Sequence, residues 1–272
     1  MNRYEHNAHC ILDYLSLFQA LSAEEVDTKR CEQKWRMILQ WELASDGVPL
    51  ATPCLRQQFQ LGERDFLLVM AALALEMDGG LRNTFRRKYA LALPTIEYGL
   101  QLISPICPSS CETLAELAGG NILCGMLLTT AELTAYPLER PLILCRTILA
   151  FLTGMSMAEI PGCTPLMEAD MQWLPVFEEE LRQVQEWYVQ GTENTLYLCA
   201  PAGSGRKTLL RRACGNVVCA NIGELSNMSV RDQDHALRET AALAALLNAP
   251  VCVSPDADRK IFRPLERICR QY

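Results

Sequence analysis

No apolar run in this chain of 272 residues approaches the roughly 20 residues needed to cross a bilayer. The most apolar stretch, Phe66 to Leu75, is bounded by Asp65 and Glu76 and fits a buried helix. The first residues, Met1-Asn2-Arg3-Tyr4-Glu5-His6, contain no apolar signal core. Basic charge is not in excess: 25 Lys and Arg face 32 Asp and Glu, for a net charge of −7. That balance disfavours a broad nucleic-acid-binding surface. The 13 cysteines follow no repeating pattern, and no pair of ligand pairs stands at zinc-finger spacing. There is no Gly-x-Ser-x-Gly elbow. The expectation is a cytoplasmic protein with reduced thiols and no membrane partner.

Half of the residues are apolar and 21% are charged, enough for a sizeable core. The length suits about two domains. Residues 1–160 read as a helical domain. Apolar positions Ile11, Leu12, Leu15, Phe18 and Leu21 make a stripe on a helix over 3–21. Ser22-Ala23-Glu24-Glu25 has the form of a capping box opening a second helix to about Ser45, with Trp35, Ile38, Leu39 and Leu43 on its stripe. Pro49 and Pro53 predict an extended connection. Helices follow over Glu63–Met77, Leu81–Tyr89, from Pro94-Thr95 onward, and over 109–117. Residues 122–128 and 142–145 read as a two-stranded ribbon, followed by a helix from Arg146. Helices followed by a ribbon predict a winged-helix-like unit.

Gly154, Pro161, Gly162 and Pro165 mark 154–168 as a linker, and an amphipathic helix carrying Trp173, Leu174, Phe177, Leu181, Val184 and Trp187 is expected to about Gln190. Residues 161–190 thus join the first domain to a second over 191–272. There the pattern alternates: strands over 195–199, 216–220 and 251–253, helices over 206–214 and about 231–247, and a last helix over 258–270. Such alternation predicts an α/β unit with a parallel sheet.

The second domain is organised around Ala200-Pro201-Ala202-Gly203-Ser204-Gly205-Arg206-Lys207-Thr208, set between an apolar run and a helix. A phosphate-binding loop has this setting: glycines turn the backbone so that N–H groups converge, and the helix N-terminus adds partial positive charge. The spacing departs from Gly-x-x-x-x-Gly-Lys-Ser/Thr, because Ala200 holds the first glycine position and Arg206 the lysine position. One inserted residue restores the roles, with Lys207 on the β- and γ-phosphates and Thr208 on Mg²⁺. Arg206 is a second phosphate contact, a planar fork rather than a point charge. A plain glycine-rich turn accounts for the same stretch without a ligand.

The chain resembles bacterial AAA-type ATPases that carry a helical, winged-helix-like region before the ATPase module. Four passages carry the resemblance: Leu55–Asp78, Pro94–Leu100, Arg140–Gly154, and the loop Gly203–Leu210. The resemblance implies a partial P-loop NTPase domain after a mainly α domain. It implies ATP and Mg²⁺ as cofactors, held by Ala202, Gly203, Ser204, Gly205, Arg206, Lys207 and Thr208, with Thr208 as the metal ligand. It also implies a homo-oligomeric ring and a protein partner or substrate docked by the N-terminal domain. The family's second motif, a strand ending in Asp-Glu, is replaced by Val253-Ser254-Pro255-Asp256-Ala257-Asp258. Asp256 and Asp258 are either metal-facing or a solvated turn. No arginine finger, sensor or lid is placed in this sequence, so no catalytic residue is assigned and weak or no autonomous hydrolysis is expected. A non-enzymatic interaction module with a vestigial nucleotide fold is the alternative, and a DNA-binding regulator a further one.

Lesser constellations have plainer accounts. His6, His9 and Cys10 cluster without a second ligand pair. Cys107 and Cys111 do not form a Cys-x-x-Cys motif. His235 lies beside Asp234 and Arg238 on a helix and reads as a surface or capping residue. Arg82, Arg86, Arg87 and Lys88 sit near a helix C-terminus, where cations are favoured, and the basic residues after Asp258 read as a tail helix.

Overall fold

The computed structural model describes residues 3–44, 50–89, 91–108, 127–128, 136–155, 160–166, 177–190, 196–199, 201, 203–253 and 259–270. The described residues are mainly helical with one small three-stranded sheet, and the chain divides into two compact units, Met1–Ala158 and Glu159–Tyr272.

In the first unit α1 spans Arg3–Leu21, α2 Thr28–Ala44, α3 Ala51–Gln58, α4 Glu63–Met77, α5 Gly79–Tyr89, α6 Ile96–Ile103 and α7 Arg146–Thr153. Helix α4 is the centre. Every residue from Phe66 to Leu75 is buried, so the helix is enclosed on all sides, as its unbroken apolar run demands. Helix α1 packs on it and also touches α2, α3, α6 and α7. Its buried positions are Asn7, Cys10, Ile11, Tyr14, Leu17, Phe18 and Leu21, a three- and four-residue spacing on one face. Leu12, expected on the stripe, is 60% exposed, and Leu43 of α2 is 78% exposed.

Ser22 does not open α2. Its N–H donates to Phe18 O and its hydroxyl to Gln19 O, so it closes α1. Asp27 is the cap of α2 and accepts the Arg30 N–H at 3.1 Å. A short polar side chain serves either end of a helix, and six residues separate these two ends. Pro53 is also not in an extended connection. It lies in the first turn of α3, where its missing N–H costs nothing. Asp78 ends α4 and caps α5, accepting from Gly80 N–H at 2.7 Å and Leu81 N–H at 3.3 Å. Thr95 caps α6 through the Tyr98 N–H.

The expected ribbon reduces, among the described residues, to isolated bridges, Thr95–Pro141 and Leu128–Leu144, with Leu142 N–H on Pro94 O and Cys145 N–H on Leu127 O. The remainder of 122–128 and the expected helix over 109–117 lie outside the described residues.

In the second unit β1 is Cys163–Leu166, α8 Glu178–Val189, α9 Arg206–Cys214, β2 Val217–Ala220, α10 Ile222–Ser226, α11 Val230–Leu246, β3 Val251–Val253 and α12 Arg259–Arg270. The sheet order is β1-β2-β3, with β1 antiparallel and β3 parallel to β2. The sheet is therefore mixed, not parallel as expected. The expected linker contributes β1, in which Pro165 is tolerated because the strand lies at the edge. The strand expected over 195–199 is absent from its described part, 196–199, where Tyr197 is 75% exposed. Both hydrogen-bonding edges of β2 are already filled, by β1 and by β3, so that run has no place beside it. The amphipathic helix is shorter than expected: α8 begins after Phe177, only Val184 of its described residues is buried, and Trp173 and Leu174 lie outside the described residues.

Period-two alternation assigns the sheet faces. Val218, Ala220, Val251 and Val253 pack with Leu237, Leu243 and Ala244 of α11 and Leu265 of α12. Cys219 and Cys252 therefore share the opposite face, and α9 touches β2.

Candidate functional site

The loop ahead of α9 is held by its glycines. Gly203 and Gly205 have φ of +79° and +85°, a left-handed conformation that side chains with a Cβ rarely adopt. Gly205 is the N-cap of α9, and no side chain caps the helix there. Ser204 N–H donates to Pro201 O at 3.2 Å, and Leu209 N–H closes the first turn on Gly205 O at 2.9 Å. The N–H groups of Arg206, Lys207 and Thr208 form the first turn, where an α-helix leaves donors without intrahelical acceptors. Ser204 Oγ is buried and has no hydrogen-bond partner. Gly203, Gly205 and Lys207 are exposed, Arg206 and Thr208 half-buried, and Leu209 is the buried anchor of the helix.

Six of the seven expected site residues thus follow one another through the turn and into the first turn of the helix. The seventh, Ala202, lies outside the described residues, as do Asp256 and Asp258. Donors and cations fit a phosphate group here: an uncapped helix start, two exposed glycines and an unsatisfied serine hydroxyl. Thr208 has its hydroxyl at the third position of the helix, where it would serve Mg²⁺ alongside a bound phosphate.

No family model, curated protein or solved structure matches the chain.

The electrostatics of the site reach the sheet. Cys252 is drawn down to about 7, first by the hydrogen bond from Cys219 and then by the positive charges of Lys207 and Arg206, against the opposing effect of burial. Cys219, the donor of that hydrogen bond and itself buried, is pushed up well beyond an ordinary thiol. Cys163, on the other sheet face, is raised by burial, partly offset by a hydrogen bond with Thr240. The Cys219–Cys252 pair was not legible as a site from sequence, where the cysteines are 33 positions apart and look unpatterned. The only signal is that each occupies an inner position of a short valine-rich run, Val217-Val218-Cys219-Ala220 and Val251-Cys252-Val253.

The lesser constellations resolve into structure. His6 and His9 both face the Trp41 ring, at 6.1 and 6.4 Å between centroids, whereas Cys10 turns to Thr52 and Glu42. Burial raises the Cys10 thiol far above its ordinary range, the reverse of what a metal-binding thiolate requires. Arg82 donates to Leu75 O and Glu76 O, closing the C-terminus of α4. Arg86, Arg87 and Lys88 are exposed. His235 Nε2 stands 3.7 Å from Glu239 Oε1. Among the described residues no helix is long and apolar enough to cross a membrane.

Proposed function

We propose that the second unit binds the phosphates of a nucleoside triphosphate at the N-terminus of α9. Lys207 and Arg206 supply the cationic contacts, the backbone N–H groups of Gly203, Gly205 and Arg206 supply donors, and Thr208 holds Mg²⁺. The observation that carries this reading is the uncapped start of α9 directly after two glycines of positive φ. In the fuller form of the reading the chain is AAA-type: nucleotide occupancy is coupled to docking of a protein partner by the helical unit, in a homo-oligomeric ring in the cytoplasm. Bound nucleotide would bring the electrophilic phosphorus. This chain's own residues would position it and balance its charge. No residue is assigned to activating water, so binding without efficient hydrolysis is the expected activity.

The mixed sheet favours a second reading, in which the nucleotide fold is vestigial and the chain is an interaction module. Residues 196–199 leave the loop without the leading strand that a working phosphate loop springs from.

Titration with a fluorescent ATP analogue and Mg²⁺ tests both readings. Saturable binding that weakens about tenfold or more in Lys207→Ala, the loss of one charge-assisted contact, supports the first. A comparable loss in Arg206→Ala alone places the phosphate on the arginine. No binding at millimolar nucleotide by a folded sample overturns the first reading in favour of the second.

A further inference from the structure

Cys219 and Cys252 are direct register partners on adjacent parallel strands. Neighbouring strands lie about 4.8 Å apart. That separation is inside the Cα–Cα range that a disulfide spans, about 4.4–6.8 Å. Registered residues point to the same sheet face, and the two thiols share a hydrogen bond. Cys252 is half-buried and Cys219 is 8% exposed, so one sulfur is the more accessible and the other is sheltered directly beside it. The positive charges of Lys207 and Arg206, on the first turn of α9, act on Cys252. A thiol beside cations, with a second thiol in contact, is the arrangement of an attacking and a resolving cysteine.

We propose that Cys219 and Cys252 form a reversible thiol–disulfide exchange site, with Cys252 as the attacking sulfur, Cys219 as the resolving sulfur, and a low-molecular-weight disulfide as the co-reactant. In the first step Cys252 Sγ, as thiolate, attacks one sulfur of the disulfide RSSR. A Cys252–SR bond forms, the S–S bond of RSSR breaks, and RS⁻ leaves. In the second step Cys219 Sγ attacks Cys252 Sγ. The Cys219–Cys252 bond forms, the second RS group leaves, and it takes up the Cys219 proton as RSH. Two protein thiols are oxidised and one small disulfide is reduced to two thiols. Excess RSH reverses both steps. The site stands on the sheet geometry and does not depend on nucleotide binding.

The bridge would cross-link β2 and β3. It would also remove the thiolate on which Lys207 and Arg206 act. The occupancy of the bridge therefore sets the charge balance at the start of α9.

The test is equilibration of the full chain in glutathione–glutathione disulfide buffers, alkylation of remaining thiols, and tryptic mapping. Cys252 falls in the peptide Glu239–Arg259, which has no other cysteine, and Cys219 in Ala213–Arg231, where fragmentation separates it from Cys214. The expected result is a linked pair of these peptides joined through Cys219, lost on reduction. Cys219→Ser should instead trap glutathione on Cys252, and Cys252→Ser should abolish both products. A measurement on the wild-type chain alone guards against misfolded variants: at neutral pH Cys252 should alkylate about tenfold faster or more than Cys214, which burial pushes up to about 11. Failure to form the link in oxidising buffer, or a Cys252 rate no greater than that of Cys214, overturns the proposal.

Discussion

Glu42 on α2 accepts the Tyr14 hydroxyl of α1 at 2.9 Å through Oε1. The same oxygen accepts the Thr52 hydroxyl of α3 at 2.6 Å and the Cys10 thiol at 3.4 Å. One carboxyl oxygen thereby joins three helices, and Tyr14 and Thr52 are almost wholly buried. Removing the acceptor takes this partner from the buried Tyr14 hydroxyl and leaves Thr52 with Cys10, and a buried donor left unsatisfied costs about 1–3 kcal/mol. Glu42→Ala should lower the unfolding free energy of the first unit by about 1–3 kcal/mol on that basis, measured by urea denaturation. Tyr14→Phe should cost less, because it removes a donor and leaves Glu42 its other two partners. Equal stability of Glu42→Ala and the wild type would remove this junction from the account of the fold.

Glu76 gives a prediction in pH. Burial raises its carboxyl, only partly offset by the Leu144 N–H at 2.9 Å and by the charge of Arg82. A carboxyl raised in the folded state binds its proton more tightly there than in the unfolded chain. Its contribution is therefore fully present below the unfolded value of 4.5 and is lost as pH rises through the folded value. Glu76→Gln keeps an acceptor for Leu144 N–H and removes the half-buried charge. It should raise the melting temperature at pH 7, and the gain should vanish towards pH 4. A gain that is the same at both pH values would show that ionisation of Glu76 is not its source.

Gly162 has φ of +72°, and a Cβ built on it would meet Leu225 Cγ at 2.9 Å. Its N–H donates to Glu224 Oε2 and its carbonyl accepts the Asn221 N–H, which ties the start of β1 to α10. Gly162→Ala combines backbone strain with a clash against a fully buried leucine. A loss of about 1–3 kcal/mol in the second unit is expected, with the first unit unaffected. Differential scanning calorimetry would resolve the two transitions; a downward shift confined to the first would contradict the assignment.

The charges acting on Cys252 can be read through its reactivity. Lys207 and Arg206 both lower that thiol. Lys207→Ala should raise it and slow alkylation of Cys252 at pH 7 without slowing Cys214. If phosphate occupies the start of α9, saturating Mg²⁺–ATP should slow the same reaction in the wild type by neutralising both cations. Protection by ATP in the wild type but none in Lys207→Ala is the expected pair of results, followed by site-resolved mass spectrometry. An unchanged Cys252 rate in Lys207→Ala would separate the lysine from the thiol.

Helices α1, α4, α5, α6 and α11 were legible in sequence because their apolar spacing or their Gly and Pro punctuation reports local physics directly. The errors have a common cause: pairing and capping are decided by neighbours in space. Ser22 has the residue type for an N-cap, but the choice between ending α1 and starting α2 depends on which carbonyl it meets. Leu196 and Leu198 alternate with Tyr197 and Cys199 as a strand would, yet β1 and β3 already hold both edges of β2. Cys163 to Leu166 sits among glycines and prolines and reads as a connection until β2 offers it an edge. The turn at Gly203 and Gly205 was readable because glycine at positive φ is a local preference. The partnership of Cys219 and Cys252 was not, because it exists only once α11 has brought β3 beside β2.

The enclosure of α4 has a consequence for motion. From Phe66 to Leu75 no residue offers a face to water, so this segment of the helix cannot open while its neighbours remain in place. Its amide protons can reach solvent only when the surrounding helices open together. Their deuterium uptake therefore reports the cooperative opening of the entire first unit, the slowest exchange that unit can show.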